Sequence, residues 1–215
     1  MSELFCIIGL GRFGRSVAER LYELGKELIC IDNDEEKVKD MAQKIDNVYQ
    51  ADCTDEVALK QIGVNNATTV VVSVGNNIET SVLAVAILHG FGIEDIYAKA
   101  TSPLHGRVLA KVGARRVIFP EKEKGVDLAN HLAGLDVIEA LDSTGRYLLA
   151  KIKAPEMFFN KSIIELDVRK KFGLNIIGIE REKRVNINPL PNDIILKNDI
   201  LIVVAKKEDI ERLKE

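Results

Sequence analysis

A glycine-rich segment near the start of the chain has the residue types and the spacing that bind a phosphate group. Gly9-Leu10-Gly11-Arg12-Phe13-Gly14 directly follows the apolar run Leu4-Phe5-Cys6-Ile7-Ile8. A buried strand that enters a tight glycine turn and then a helix directs free backbone N–H groups and the positive helix end at one anion. Asp32 ends the next apolar run, where a carboxylate can accept hydrogen bonds from ribose hydroxyls. The pattern predicts an adenine-nucleotide site, and the alternative is an ordinary glycine turn in an α/β core.

Charged side chains around this turn bear on which nucleotide binds. Arg12 can form charge-assisted hydrogen bonds to phosphate, which favours ATP or ADP over NAD(H), or it can be a solvated arginine of the first helical turn. Asn33 and Asp34 follow Asp32 with no arginine directly after them, which disfavours a 2′-phosphate and therefore NADP. Asp52 follows a later strand-like run, where it can accept from the adenine amino group or cap the helix that begins near Thr54.

Strand-like and helix-like runs alternate along the first part of the chain, and they predict the fold that positions the turn. The strand-like runs are residues 4–8, 27–31, 47–51, 69–74, 96–99 and 116–119. Parallel neighbours need right-handed crossovers, so strands separated by helices form a doubly wound parallel sheet, a Rossmann-like α/β fold. We predict a nucleotide-binding domain over residues 1–120, followed by a crossover helix at residues 121–134.

The remaining apolar runs are shorter and alternate with polar residues, which predicts a small α+β subdomain at residues 135–215. Its strands are expected at residues 137–141, 146–152, 175–179, 185–187 and 200–204, and its helices at 162–172 and 207–213. A lobe of about 80 residues buries a marginal core, so we expect it to lean on a partner.

Composition and charge narrow the class of protein. The net charge of −3 gives no electrostatic reason to expect nucleic acid, and no apolar stretch approaches the roughly 18 residues of a membrane span. The N-terminus lacks a signal-peptide pattern. The cysteines form no CxxC pair and indicate buried side chains in a reducing cytosol, although Cys53 could be partly exposed. The histidines share no metal-ligand spacing and are expected at surface or half-buried positions, namely His89, His105 and His131.

One pair of residues matches the spacing of a catalytic site. Tyr147 and Lys151 fit the Tyr-x-x-x-Lys pattern of short-chain reductases, in which both groups share a helix face. This segment alternates like a strand, which would separate the two residues by about 13 Å. The C-terminal lobe also offers no identifiable acid or base for a nicotinamide. We therefore expect a protein that is not an enzyme, with an NAD(H)-dependent oxidoreductase and an NAD(H)-binding redox sensor as the alternatives.

Several segments together resemble the RCK domains, also called KTN domains, of regulatory subunits in bacterial potassium uptake systems of the KtrA and TrkA type. They are the glycine turn, Ile31-Asp32-Asn33-Asp34, Ala51-Asp52-Cys53-Thr54-Asp55, Ile118-Phe119-Pro120-Glu121-Lys122, and the stretch from Lys161-Ser162 to Pro189-x-Pro191. The resemblance implies a cytosolic homodimer, assembled into a ring of dimers. The ring would dock on a membrane potassium translocator subunit at the inner face of the cell membrane and gate it according to the bound nucleotide.

The resemblance also implies roles for single residues. Lys99 is a phosphate contact by resemblance and, from the sequence alone, a solvated lysine at a strand end. Glu121 would help to bind Mg²⁺ or Ca²⁺ beside the terminal phosphate, whereas the residues alone favour a first-turn glutamate that complements its helix dipole. The nucleotide contacts predicted in full are Gly9, Gly11, Arg12, Phe13, Gly14, Asp32, Asn33, Asp52, Cys53, Val74, Gly75, Asn76 and Lys99.

Some members of that family hold cyclic di-AMP between two C-terminal subdomains. The similar positions in this sequence are Ile163, Ile164, Asp167, Arg169, Asn175, Ile176 and Pro191. An apolar platform beside one arginine suits stacked adenines and a phosphate. The same isoleucines would be ordinary core residues in any α+β lobe, so a second ligand and a structural role are both open.

Overall fold

The computed structural model describes residues 3–75, 77–133, 135–142 and 144–213, with the side chain of Leu135 excepted, and the chain divides into two compact units after Glu121. The first unit is built on a sheet of parallel strands. They are β1 (Leu4–Ile8), β2 (Glu27–Asp32), β3 (Val48–Gln50), β4 (Thr69–Val72), β5 (Asp95–Lys99) and β6 (Arg116–Ile118). Their order across the sheet is β3-β2-β1-β4-β5-β6. The predicted Rossmann-like class is therefore confirmed.

Helices connect these strands. They are α1 (Arg12–Glu23), α2 (Glu35–Ala42), α3 (Glu56–Ile62), α4 (Ile78–Gly90) and α5 (Pro103–Lys111), with a short 3₁₀ turn at Val64–Asn66. Short polar side chains start most of them by accepting from backbone N–H groups of the first turn, as Asp34 does for α2 and Ser102 for α5. Asp55 caps α3, so the alternative that Asp52 caps this helix was wrong.

The core of the first unit explains why its central strands are apolar throughout. Along β1, Cys6 and Ile8 belong to one buried cluster and Ile7 belongs to another. Successive side chains of a strand point to opposite faces of the sheet, so helices that cover both faces leave no polar side of β1 or β4. Each large aliphatic side chain buried in this way stabilises the fold by roughly 1.5–3 kcal/mol.

The second unit contains an antiparallel sheet, and α6 (Pro120–Leu132) leads into it along the chain. The sheet strands are β7 (Leu135–Ala140), β8 (Tyr147–Lys153), β10 (Asn175–Arg181), β11 (Arg184–Ile187) and β13 (Ile200–Lys206), in the order β11-β10-β13-β8-β7. Two short strands, β9 (Lys161–Ser162) and β12 (Ile194–Ile195), pair separately. The predicted α+β class of this lobe is confirmed.

The single helix expected at residues 162–172 was wrong. The segment forms α7 (Ile163–Leu166) and α8 (Val168–Phe172), and Asp167 between them has a left-handed backbone with φ of 44°. Ser162 and Glu165 form a capping box at the start of α7, so this turn has its own N-terminal signal. The terminal helix, α9 (Lys207–Arg212), follows β13 as expected.

Candidate nucleotide-binding site

The glycine turn between β1 and α1 has two glycines that the protein itself requires. Gly9 has φ of +92°, a conformation that side chains other than glycine rarely adopt. At Gly14 a Cβ atom would lie 1.9 Å from the carbonyl oxygen of Gly9 and 2.6 Å from Ser73 Oγ, so α1 packs directly on the turn. At Gly11 a Cβ atom would meet nothing within 4 Å. The space beside Gly11 is therefore open to a ligand.

The first turn of α1 offers hydrogen-bond donors to that space. Gly11 is the N-cap residue, and its carbonyl accepts from the N–H of Arg15 at 2.9 Å. The N–H groups of Arg12, Phe13 and Gly14 have no acceptor within the described residues, and this turn contains no acidic side chain. An anion at this position would accept from these donors and would also lie at the positive end of the helix.

Two buried polar side chains hold the turn in place. Ser73, which follows β4, donates from Oγ to the carbonyl oxygen of Gly9 at 2.9 Å. The carboxylate of Asp32 is 8% exposed, and its Oδ2 accepts from the N–H of Leu10 at 2.6 Å while Oδ1 accepts from the N–H of Asp34 at 2.9 Å. A carboxylate has about four lone-pair positions, so Asp32 can support the turn and still accept from a ribose.

Sequence reasoning missed Ser73 and also Lys37, whose Nζ lies 3.5 Å from Asp32 Oδ1 and 3.3 Å from Asp34 Oδ2. A hydroxyl directly after a wholly apolar strand was the available signal for Ser73, because such a position lies at the carboxyl end of the sheet. Lys37 could have been found from its place one helical turn after Asp34.

A lysine and a glutamate form an ion pair at the carboxyl end of β5. Lys99 Nζ donates to Glu121 Oε1 at 2.6 Å, and the Lys99 side chain is 16% exposed. The hydrogen bond from Lys99 holds the pKa of Glu121 below its usual range, and the charge of Arg12 lowers it further. The Lys99 stem also contacts Gly75, where a Cβ atom would lie 3.4 Å from Lys99 Cε. Lys99 therefore lies beside both Gly75 and Glu121, and it is not an isolated solvated lysine.

The other predicted contacts differ in what they can offer a ligand. Asp52 Oδ1 accepts from the N–H of Thr54 at 2.8 Å, and this bond lowers the pKa of Asp52. Cys53 is buried in the core, so its expected partial exposure was wrong and only its backbone is available; burial raises the pKa of its thiol to about 11. Asn33 is exposed, whereas Phe13 packs partly against the core.

Val74 is half-buried and adjoins Gly9, and Asn76 lies outside the described residues. The described positions lie at or just after the carboxyl ends of β1, β2, β4 and β5, namely Gly11, Arg12, Asp32, Val74, Gly75 and Lys99. The strand order reverses between β1 and β4, and open α/β sheets bind ligands at such a point. Among the described residues, no group of three or more His, Cys, Asp or Glu side chains could hold a metal ion.

The seven candidates for a second ligand are all in the second unit. The N–H of Ile164 donates to the carbonyl oxygen of Pro191 at 2.8 Å, which brings these two residues together, and Ile164 is 61% exposed. Ile163 and Ile176 pack partly against the core of this unit. The polar candidates are exposed, namely Asp167, Arg169 and Asn175. The apolar candidates are therefore divided between the surface and the core.

Two other expectations about single residues have clear outcomes. Tyr147 and Lys151 lie on β8, so the predicted strand is confirmed and the two do not share a helix face. Lys151 Nζ instead pairs with Glu180 at 2.7 Å. His105 is 1% exposed, so the surface or half-buried position expected for it was wrong.

The strand order and the glycine turn define the first unit as a Rossmann-like domain, which a small antiparallel lobe follows. The TrkA-N domain model matches residues 5–120 and the TrkA-C domain model matches residues 148–215, so the chain belongs to the TrkA-N/TrkA-C family. The resemblance to potassium uptake regulators of the TrkA and KtrA type is thereby confirmed. No helix within the described residues has the length and apolar character needed to cross a membrane.

Two relatives and two solved structures are similar to this chain. It is 36% identical to Ktr system potassium uptake protein C of Bacillus subtilis (strain 168), over 100% of this chain and 97% of the relative. Ktr system potassium uptake protein A of the same organism is 37% identical, over 98% and 95%. The GsuK channel bound to NAD matches with a TM-score of 0.65 at 18% identity, over 100% of this chain and 39% of that chain. GsuK bound to ADP matches with a TM-score of 0.52 at 28% identity, over 60% and 34%. This chain thus spans well under half the length of those channels.

Proposed function

We propose that this chain is a cytoplasmic, nucleotide-sensing regulatory subunit of a potassium uptake system. The observation that carries the proposal is the open space beside Gly11, next to the free N–H groups in the first turn of α1, which also contains Arg12. The assignment to a potassium uptake system comes from the two Ktr relatives, which are named as potassium uptake proteins. We assign nucleotide sensing to residues 1–120, with residues 121–134 as a crossover helix, and a second-ligand role to residues 135–215.

The charges favour ATP or ADP as the ligand. Two cations and a helix N-terminus interact most strongly with a phosphate where negative charge is densest. That is a terminal phosphate rather than the bridging phosphates of a dinucleotide. Solved GsuK structures carry NAD in one case and ADP in another, so an NAD(H) sensor is the second candidate. A divalent cation at Glu121 would share the carboxylate with Lys99, whose hydrogen bond occupies only Oε1.

Exposed apolar residues support self-association into a homodimer and a ring. Along α6, Val126, Leu128 and Leu132 are all more than half exposed. Leu128 and Leu132 are four residues apart and share one face of the helix, and an exposed apolar face commonly forms an interface. Ile164 and Pro191 would belong to a cyclic di-AMP site of two C-terminal lobes, as their hydrogen bond and the exposure of Ile164 support.

Regulation would follow from linkage rather than from catalysis. If two nucleotide states stabilise different ring conformations, the difference in their binding free energies biases the attached potassium translocator. A coupling of about 1–3 kcal/mol per site, repeated around a ring, gives a steep response. The chain would not turn over its nucleotide in this mechanism.

Thermal unfolding with ATP, ADP and NADH tests the ligand. A ligand at one hundred times its Kd stabilises the protein by about 2.7 kcal/mol, and a domain of this size then gains roughly 5–10 °C in Tm. We expect ATP and ADP to stabilise more than NADH. Equal or greater stabilisation by NADH would reverse the ranking in favour of the NAD(H) sensor, and no stabilisation by any of the three would refute the site.

Two matched pairs of variants test the cations by calorimetric titration with ADP. Arg12→Gln and Lys99→Met should each weaken binding about tenfold or more, because a charge-assisted hydrogen bond contributes about 1.5–3 kcal/mol. Arg20→Gln on the exposed face of α1 and Lys111→Met at the end of α5 should leave the affinity unchanged. Equal effects in both pairs would mean that the cations act only through net charge.

Assembly and partner are tested separately. We expect light scattering to give a mass of several subunits, and a monomer at micromolar concentration would contradict the ring. We expect potassium uptake by a membrane translocator to depend on this chain, and we expect the rate of uptake to differ between ATP and ADP. Steady oxidation of NADH by a small carbonyl compound would instead support the oxidoreductase.

A further inference from the structure

A buried polar cluster around His105 lies outside the set of predicted contacts. Ser81 Oγ is 2.8 Å from the Nε2 atom of His105, and both residues are almost fully buried. The N–H of Thr101 donates to Nδ1 at 3.3 Å. Because Nδ1 accepts, the proton of the neutral ring belongs on Nε2, which donates to Ser81 Oγ. Ser81 in turn donates to the carbonyl oxygen of Ile78 at 2.9 Å.

The two partners of His105 belong to the two segments that flank one side of the site. Ser81 lies in the first turn of α4, just after the loop that contains Gly75, and its N–H donates to the carbonyl oxygen of Asn77. Thr101 comes two residues after Lys99 and precedes α5. The Lys99 stem contacts Gly75 across the same two segments. His105 therefore joins the polypeptide that carries Gly75 to the polypeptide that carries Lys99.

We propose that His105 is a positioning residue of the nucleotide site, whose ring ties the start of α4 to the turn after β5 and so fixes Gly75 and Lys99 for the phosphates. The inference rests on the proposed function, since it concerns the same site. It also goes beyond that function, because it makes the affinity for nucleotide depend on the protonation of a residue that does not touch the ligand.

The chemistry of the ring gives the direction of this dependence. A protonated imidazole has no acceptor, so it loses the hydrogen bond from the Thr101 N–H. Ser81 faces the ring from α4 and Thr101 faces it from the turn, and among the described residues no carboxylate, lysine or arginine is hydrogen-bonded to it. Burial lowers the pKa of His105, since nothing nearby compensates a positive charge. Acid should therefore loosen the two segments and weaken nucleotide binding.

The test is a calorimetric titration with ADP at pH 7.5 and pH 5.5, on wild type, His105→Asn and His89→Asn. The asparagine at position 105 can accept from the Thr101 N–H but does not titrate, and His89 is exposed on α4. The terminal phosphate of ADP titrates near pH 6 in every sample, so it cancels in the comparison. A histidine of ordinary pKa limits the effect to about tenfold at pH 5.5. We expect the wild-type Kd to rise two- to tenfold more than that of His105→Asn, and His89→Asn to follow wild type.

Each failure has a separate meaning. Parallel changes of Kd with pH in wild type and His105→Asn would overturn the role of His105. A change for His89→Asn as small as that for His105→Asn would overturn it too. If His105→Asn does not fold, His105→Gln replaces it, because glutamine can reach Ser81 and does not titrate. We then expect the wild-type Kd to rise more than that of His105→Gln, and parallel changes would again overturn the proposal. Absence of ADP binding to wild type at pH 7.5 would instead refute the proposed function.

Discussion

Substitution of Gly14 by alanine should destabilise the first unit without any ligand. The added Cβ atom would lie 1.9 Å from the carbonyl oxygen of Gly9, which is far inside van der Waals contact, and 2.6 Å from Ser73 Oγ. The nearest atom is backbone, so α1 must move away from β1 by more than an ångström. Overpacking of this kind costs about 1–3 kcal/mol, and the upper end applies because no rotamer relieves the contact. At about 2–4 °C per kcal/mol, Tm should fall by roughly 6–12 °C.

Gly11→Ser is the matched control, and its effects should be opposite. Position 11 is open and has φ of −67°, and serine is a favourable N-cap residue, so stability should stay the same or rise by a few tenths of a kcal/mol. Its hydroxyl would bond to the first-turn N–H groups and fill the space beside them, so affinity for ADP should fall. Differential scanning calorimetry without nucleotide and titration with ADP give the two readouts. A Gly14→Ala protein as stable as wild type would refute the packing argument, and unchanged ADP affinity in Gly11→Ser would refute the location of the phosphate.

Three further predictions concern the second unit and the thiols. Arg181→Ala removes both guanidinium hydrogen bonds to the fully buried Asp199, each 2.8 Å long. The free energy of unfolding, measured by urea denaturation, should fall by about 3 kcal/mol. Arg184→Ala on the exposed hairpin is the control and should change this free energy little. Burial by itself would raise the pKa of Asp199, but the bonds from Arg181 and the backbone hold this pKa below its ordinary value. The stability that this pair contributes is therefore complete above about pH 4 and is lost as the pH falls through the folded-state pKa of Asp199. Asp199→Asn should remove this dependence of stability on pH in acid. All cysteines are buried, and burial raises the pKa of each thiol, so a disulfide reagent at pH 8 should label them only after unfolding.

The class of the fold was predictable because its signals are local and repeated. Strands such as β4 are apolar on both faces, and each is followed by a helix with a polar cap, so the parallel sheet follows from alternation alone. The break at Asp167 was not predictable in this way, because residues 162–172 keep a helical spacing of apolar side chains. The start of α7 is also hidden from local patterns, because β9 directly before it pairs with β12 some thirty residues away in sequence.

The site was predictable where the backbone determines it and less so where side chains meet across strands. The glycine spacing and the acid after β2 are short-range patterns with a direct physical reason. The bonds from Ser73 to Gly9 and from His105 to Ser81 join residues 64 and 24 positions apart, and no spacing rule connects them. His105 in particular looks like a surface residue in its own helix, and its partner Ser81 lies on α4, which packs against α5.

The hydrogen bond between Asp32 and the N–H of Leu10 determines how a ribose contact has to be tested. Substitution of the carboxylate removes the acceptor of the Leu10 N–H, of the Asp34 N–H or of both, so a loss of affinity would have two causes at once. The change is better made in the ligand. ADP analogues that lack the 2′- or the 3′-hydroxyl leave the protein intact, and their loss of affinity relative to ADP measures what Asp32 contributes to the sugar alone.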